Sequence, residues 1–557
     1  MKSTNYWQYI NPISLLTLII FSFGIQLSNV AREIFIIFIL FGFIYKNKLN
    51  IVTIKVNYFN PMLMLFVFHS LITLFHQFPK LTLQFLGFGY DNAFHLTVFR
   101  GYRSTNWFPN VDSALWWTDF ELFKRTPTAS SAVYSLISNA GIGSNNLPLM
   151  EMSVYVAINI IVLFSIVYVS VKFVSSNTCK NNHYLISYLL FAGISTVILS
   201  TSGVMLVNGF PPYLLVTLIL TYWMHFNFRN ESIKSRLISL SMAAYSIILI
   251  TPGPVLFLFL PGLYLLVVST VDLIRTKKAI EFLKNLIMPV LLATLSLTTF
   301  KDTSGSFGWR QILAPGGVHK PNLFIAFLIF SLFMVFFLFL LRAKKIDIFW
   351  LMAFSGGLSV AAFSFLTYKF TGSIQYYAVK QLYIWLPVGG ILMFKYLNSP
   401  ENLLRKIPNL LTVFLISTSI IVSFFYVDRS ESGYMGTLPT AILSLESRET
   451  WKNSIVNSDG HIQTFLLLDA KQRGCRIYRL NPEESDLNSR WANALSNPIN
   501  MTESCFGGYW NSSKLSIVEL IDKLGNSRGN FLLVLPLDQD MKYPKSIFPA
   551  NVQVIFN

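Results

Sequence analysis

Charge is scarce in this chain. Only 12% of its 557 residues are Asp, Glu, Lys or Arg, against 53% hydrophobic. One water-soluble core cannot hide that much apolar surface, so a soluble globular protein is excluded and the bilayer must be the solvent. Acid is scarcer than base, 26 residues against 43, which leaves a net charge of +17. The excess does not mark a nucleic-acid binder, because the cations sit in short clusters between apolar runs and form no stripe. Cysteine is rarer still, at three. Cys475 and Cys505 have no His or Cys partners at zinc spacing, which excludes a zinc site built on them. There is no Walker A sequence, no GxGxxG opening a helix after a strand, and no HExxH. ATP-driven transport and zinc proteolysis thereby lose their usual signatures. The "DQD" at 538–540 is more in keeping with a turn than with a metal-binding acidic pair.

What the chain has is long apolar runs. A helix rises about 1.5 Å per residue, so a hydrocarbon core roughly 30 Å thick asks for about 20 apolar residues. Thirteen stretches qualify: 12–28, 31–45, 61–78, 150–171, 184–201, 211–228, 237–251, 254–271, 285–300, 322–341, 348–367, 376–396 and 408–427. The second and seventh are short and suit tilted or re-entrant elements. Lys and Arg favour the cytoplasmic flank of a span. With the N-terminus inside, the cytoplasmic loops carry Lys46, Lys48, Lys55, Lys172, Lys180, Arg229, Lys234, Arg236, Arg275, Lys277, Lys278, Lys284, Arg342, Lys344, Lys345, Lys395, Arg405 and Lys406. The alternate loops at 202–210 and 251–253 carry none. Ahead of the first run stands only Lys2, and no small-residue cleavage site follows it, so the first span is expected to be retained.

The expected architecture is an all-α polytopic membrane domain over 1–427, with a large outer loop at 79–149, and a small extracytoplasmic α/β domain over 428–557. In the tail, "TFLLL" at 464–468 and "NFLLVLP" at 530–536 suit strands, and "SIVELIDKLG" at 516–525 suits an amphipathic helix. Exported cysteines meet an oxidising compartment, so a Cys475–Cys505 disulfide is expected, while Cys179 faces the cytoplasm.

Polar chemistry gathers near the outer ends of the spans. The segment "GFGYDNAFHLTVFRGYRSTNWFP", 87–109, joins an acid, an imidazole, two arginines and aromatics. If "YDNAFHL" opens a helix, Asp91 and His95 lie one turn apart on one face and Arg100 follows further along. Asp91 is then either a general base that takes a proton from an attacking hydroxyl, with an Arg balancing phosphate charge, or a helix cap with His95 packed at the interface. In "GSIQYYAVKQLYIWLP", 372–387, Tyr376, Lys380 and Tyr383 share a helical face just inside the twelfth span. Lys380 either snorkels within an aromatic belt or meets an anion at the depth of a lipid phosphate. The loop 301–321 holds Trp309, Arg310, His319 and Lys320 among glycines; it either orders over a substrate or is a solvated connection. Trp107, Trp116 and Trp117 fit sugar stacking, and equally the Trp that collects at any membrane interface.

Many spans, an Asp early in the first large outer loop and an exported C-terminal domain resemble the GT-C superfamily of membrane glycosyltransferases. "YDNAFH" is similar in placement to that family's acidic motif, and "YYAVK" looks like the Tyr-Tyr-x-x-Lys segment of its arabinofuranosyl and uncharacterised bacterial branches. Two spans precede the one leading into the acidic loop, where the family usually has one, and the acid is a lone Asp. A divalent metal therefore stays an open part of the resemblance. The resemblance implies a polyprenyl-phosphate-linked sugar donor entering from the outer leaflet of a bacterial inner membrane, and inverting transfer to a glycan or glycolipid acceptor. It implies Asp91 as base, with Lys380 and Arg100 or Arg310 on the donor phosphate, and His95, Tyr376 and Tyr377 lining the substrate site. An O-antigen-type glycan polymerase, a lipid-linked-sugar flippase or other transporter, and a noncatalytic assembly factor are the competing readings. A transporter should concentrate charge along a route through the midplane, whereas mid-span ionisable residues are scarce here and the candidate site residues cluster at the outer edge.

Overall fold

A computed structural model describes residues 61–77, 90–105, 129–141, 148–175, 209–228, 233–251, 253–276, 323–342 and 346–397, with shorter pieces around 194–206, 283–294, 476–479, 518–522, 531–535 and 544–556. The runs at 12–28 and 408–427, all of 31–45 except Ile34, the loop 301–321 with Arg310, the segment 464–468, Trp107, Trp116 and Trp117, and Cys179, Cys475 and Cys505 lie outside the described residues.

The elements in chain order are α1 (Pro61–Gln77), α2 (Tyr90–Thr105), α3 (Ala129–Gly141), α4 (Pro148–Ser175), α5 (Pro211–Phe228), α6 (Ile233–Ile250), a 3-10 turn (Gly253–Leu258), α7 (Phe259–Thr276), α8 (Leu323–Arg342), α9 (Ile348–Thr371) and α10 (Tyr376–Leu397). Five described stretches are long and apolar enough to cross a membrane: Met150–Ser175, Ile233–Ile250, Gly253–Thr276, Ile348–Thr371 and Tyr377–Tyr396. They pack with α1, α5 and α8 into a helical bundle, the body of an all-α membrane protein.

Local chemistry explains the ends. Asp347 caps α9, its side chain accepting from Phe349 N at 2.9 Å and Trp350 N at 3.1 Å. At the other end Gly372 takes a left-handed φ of 71° and its N–H donates to Tyr368 O at 2.8 Å. Polar side chains inside the apolar helices bond to their own backbone: Thr217 to Tyr213 O, Thr221 to Thr217 O and Asn227 to Trp223 O. That keeps hydroxyls and amides satisfied where water is excluded.

Several boundaries differ from expectation, among them the end of α9, which runs to Thr371 and not 367. The span expected at 237–251 begins at Ile233, because Lys234 and Arg236 continue the helix beyond its apolar part, and at eighteen residues it is long enough to cross. The run 150–171 becomes the 28-residue α4. The run 254–271 opens as a 3-10 turn before α7. Pro252 and Pro254 have no N–H to give, so the regular ladder starts late. Ser355 of α9 mends the junction, donating to Leu256 O at 2.6 Å and accepting from Leu260 N at 3.5 Å. Beside it Gly356 and Gly357 let Phe257 and Trp385 lie against the α9 backbone.

The core is aromatic. Trp385 is fully buried and donates Nε1–H to Ala353 O at 2.8 Å. Phe333 lies between it and Trp350, at 5.2 and 5.4 Å between ring centres.

The helix ends sort into two sets. One end of the bundle holds the starts of α2, α4, α5 and α10 and the finish of α6. The other holds the finishes of α4, α5 and α10 and the starts of α6 and α9, where Lys395 donates to Phe173 O at 2.8 Å and Ser239 to Asn227 Oδ1 at 2.9 Å. Lys172, Lys234, Arg236, Arg342 and Lys395 collect at this second end.

In the tail, β1 (Arg476–Arg479), β2 (Phe531–Leu535) and β3 (Val552–Phe556) form a parallel sheet in that order, with Phe531 opposite both Arg476 and Val552. β2 is the run read as a strand from "NFLLVLP", and Val518, Ile521 and Asp522 of the amphipathic stretch are helical.

Candidate functional site

The first end of the bundle is organised around a tight turn ahead of α5. Gly209, at φ 82°, supplies the left-handed residue that lets Gly209 N reach Leu206 O at 3.2 Å and Phe210 N reach Met205 O at 2.8 Å. Pro211 then opens α5 where its missing N–H costs nothing. The turn's Leu206 carbonyl also accepts from Asn92 Nδ2 at 3.1 Å, and Asn92 Oδ1 accepts from the Tyr155 hydroxyl at 3.3 Å. The first turn of α2 is thereby fastened to the turn and to α4.

The same turn holds Lys380. Its Nζ stands 3.9 Å from the centre of the Phe210 ring, 5.1 Å from Tyr213 and 5.6 Å from Tyr377. A desolvated ammonium over aromatic faces gains about 2 kcal/mol from each good contact, which offsets part of the cost of burying it. Lys380 is buried, so the snorkelling reading is corrected: the side chain turns inward to the rings and not out along the helix. Tyr213 in turn accepts from Thr251 Oγ1 at 3.4 Å. Two residues on, Gly253 leaves room for Gln381, whose amide would collide with a Cβ there. Lys380, Tyr213, Thr251, Gly253 and Gln381 therefore close a circuit at one end of the bundle.

A buried ion pair steadies the layer made by α2 and α3. Arg103 Nε meets Glu151 Oε2 at 2.5 Å with both side chains inaccessible, and Arg103 Nη1 donates to Ser138 Oγ. The three residues tie α2, α4 and α3 together. Burial pushes the Tyr134 phenol above its ordinary range, so it stays protonated and donates to Pro211 O at 3.4 Å.

Asp91 falls within the first turn of α2, which begins at Tyr90. Its side chain, like that of Tyr376, lies outside what is described. His95 and Arg100 are both buried along α2. Nine residues of helix separate Asp91 from Arg100, about 13 Å along the axis, so the two are not neighbours across one turn. Tyr377 is half-buried beside Lys380. The structure brings Lys380 and Tyr377 together with the turn that also receives Asn92, the residue after Asp91. Sequence reasoning did not reach Asn92, Tyr155, Phe210, Tyr213, Glu151 or Gln381. Two signals for them exist: Glu151 is the only acid in the 28 residues of α4, and "NGFPPY" is a turn followed by a helix start.

Among the described residues no three His, Cys, Asp or Glu side chains converge to hold a metal ion. No protein-family model matches the chain, and neither the curated proteins nor the solved structures give a match to it.

Proposed function

We propose that this protein is a membrane glycosyltransferase that moves a sugar from a polyprenyl-phosphate-linked donor to a cell-envelope glycan or glycolipid acceptor on the outer face of a bacterial inner membrane. The observation that supports it is Lys380, an ammonium buried at the end of the bundle where the Asp91-bearing helix begins. A lipid phosphate leaving group needs a cation at headgroup depth, and a sugar already activated on lipid needs no nucleotide cradle.

In this reading Asp91 takes the proton of the acceptor hydroxyl and the acceptor oxygen attacks the anomeric carbon. The bond from that carbon to the phosphate oxygen breaks, its electron pair leaves with the polyprenyl phosphate, and the anomeric configuration inverts. Lys380, with Arg100 or Arg310, balances the charge that collects on the phosphate. His95, Tyr376 and Tyr377 border the substrate. The reading carries with it thirteen spans, a cytoplasmic N-terminus and an exported α/β domain over 428–557, with Cys475 and Cys505 joined; thiols of both that alkylate in native, non-reduced membranes would remove that disulfide.

The test is Asp91→Asn in the full chain, scored as the surface glycan formed. A general base is worth about 10²–10⁴ in rate, so glycan should fall by that order at normal protein level. Unchanged glycan removes Asp91 as the base.

A further inference from the structure

Gln381 is 1% exposed and follows Lys380 on α10, yet among the described residues its Oε1 accepts no hydrogen bond. Leaving a buried amide oxygen without a donor costs about 1–3 kcal/mol, and such atoms are few in folded proteins. An apolar side chain of the same shape would avoid that cost here. The neighbourhood is also cut to fit the amide: Gly253 has no Cβ, and any side chain there would strike Gln381 Nε2. Tyr213 links the two surroundings: its ring lies 5.1 Å from Lys380 Nζ, and its hydroxyl accepts from Thr251, two residues from the Gly253 against which the Gln381 amide packs. A ligand complementary to both residues carries an anion for Lys380 and a hydroxyl that donates to Gln381.

Resting on the glycosyltransferase reading, we infer that Gln381 is the residue that recognises the donor's sugar, its Oε1 accepting a hydrogen bond from a sugar hydroxyl while Lys380 holds the adjoining phosphate. Lys380 then supplies affinity for any lipid phosphodiester, and Gln381 supplies the preference for one that bears a sugar. A site built to pair a hydroxyl discriminates strongly against a ligand lacking it, because the buried acceptor is again left alone.

The experiment uses the full chain in nanodiscs and four probes of equal charge: farnesyl methyl phosphate and the mannosyl, glucosyl and arabinofuranosyl diesters of farnesyl phosphate. The wild type is expected to bind at least one glycosyl diester about tenfold more tightly than the methyl diester, the worth of one such hydrogen bond. Gln381→Met should abolish that preference, leave methyl diester affinity unchanged, and leave the unfolding temperature equal or higher. Gly253→Ala, which displaces the amide without replacing it, should weaken the same preference. A wild type with no preference, or a Gln381→Met variant that keeps it, overturns the inference. Lys380→Met separates this from the broader reading: it should weaken all four probes together, and undiminished methyl diester binding would bring down the phosphate assignment itself.

Discussion

Lys395, near the end of α10, donates its ammonium hydrogen bond to the backbone carbonyl of Phe173 in α4 at 2.8 Å, across 222 positions of sequence. Phe173 lies in the last turn of α4, where carbonyls have no intrahelical partner. The lysine thus finishes a helix to which it does not belong, and the Phe228 ring, 4.0 Å from Nζ, shelters the charge.

Lys395→Met is therefore expected to lower stability by about 1–3 kcal/mol, the cost of orphaning a buried carbonyl. Lys395→Arg, which keeps a donor, should lose less. Unfolding in mixed detergent micelles measures both, and equal losses would show that charge packing and not the hydrogen bond matters.

The Arg103–Glu151 pair is inaccessible on both sides. Removing one partner strands a buried charge at a cost of about 3–5 kcal/mol. Glu151→Leu alone should be strongly destabilising, and the double variant Arg103→Met with Glu151→Leu should recover much of the loss. A double-mutant cycle read by denaturant unfolding decides it; additive losses would deny the coupling.

Two glycines of α9 and its cap should respond for different reasons. At Gly356 a Cβ would overlap the Phe257 ring, so Gly356→Ala should cost about 1–3 kcal/mol by overpacking. At Gly372 there is open space but a φ of 71°, so Gly372→Ala should cost about 1–2 kcal/mol from backbone strain alone. Pairing Gly356→Ala with Phe257→Leu should relieve the first and leave the second unaltered, as thermal unfolding would report.

The cap on α9 offers a milder test. Asp347→Ala should cost about 1 kcal/mol and Asp347→Asn close to nothing, because Asn can accept from Phe349 N and Trp350 N as Asp does. Loss of stability in the Asn variant would point instead to a need for the negative charge near Lys395 and Arg236.

The bundle was legible in the sequence to the extent that hydropathy is a property of neighbours along the chain. The run 211–228 is α5 to the residue, and "YDNAFH" does open a helix. Hydropathy counts apolar groups and not hydrogen bonds, so it could not foresee the 3-10 opening at Gly253–Leu258 or the Ser355 that mends it. Lys380 stood out as a cation in an apolar run, but its rings come from the turn before α5, and nothing local says that Phe210 will be the one it meets. Within the segment 79–149, α2 and α3 bury Asn92, Arg103 and Ser138 against α4 and the turn. Long-range pairing of polar groups of this kind leaves no periodic trace.

α10 carries one cation into each end of the bundle, Lys380 among the rings of Phe210 and Tyr213 and Lys395 on the Phe173 carbonyl. Fifteen residues of helix fix their spacing at about 22 Å. Held near both tips, α10 cannot slide or roll without giving up a contact at each, and Pro387, lying between the two lysines, is the point at which it can bend.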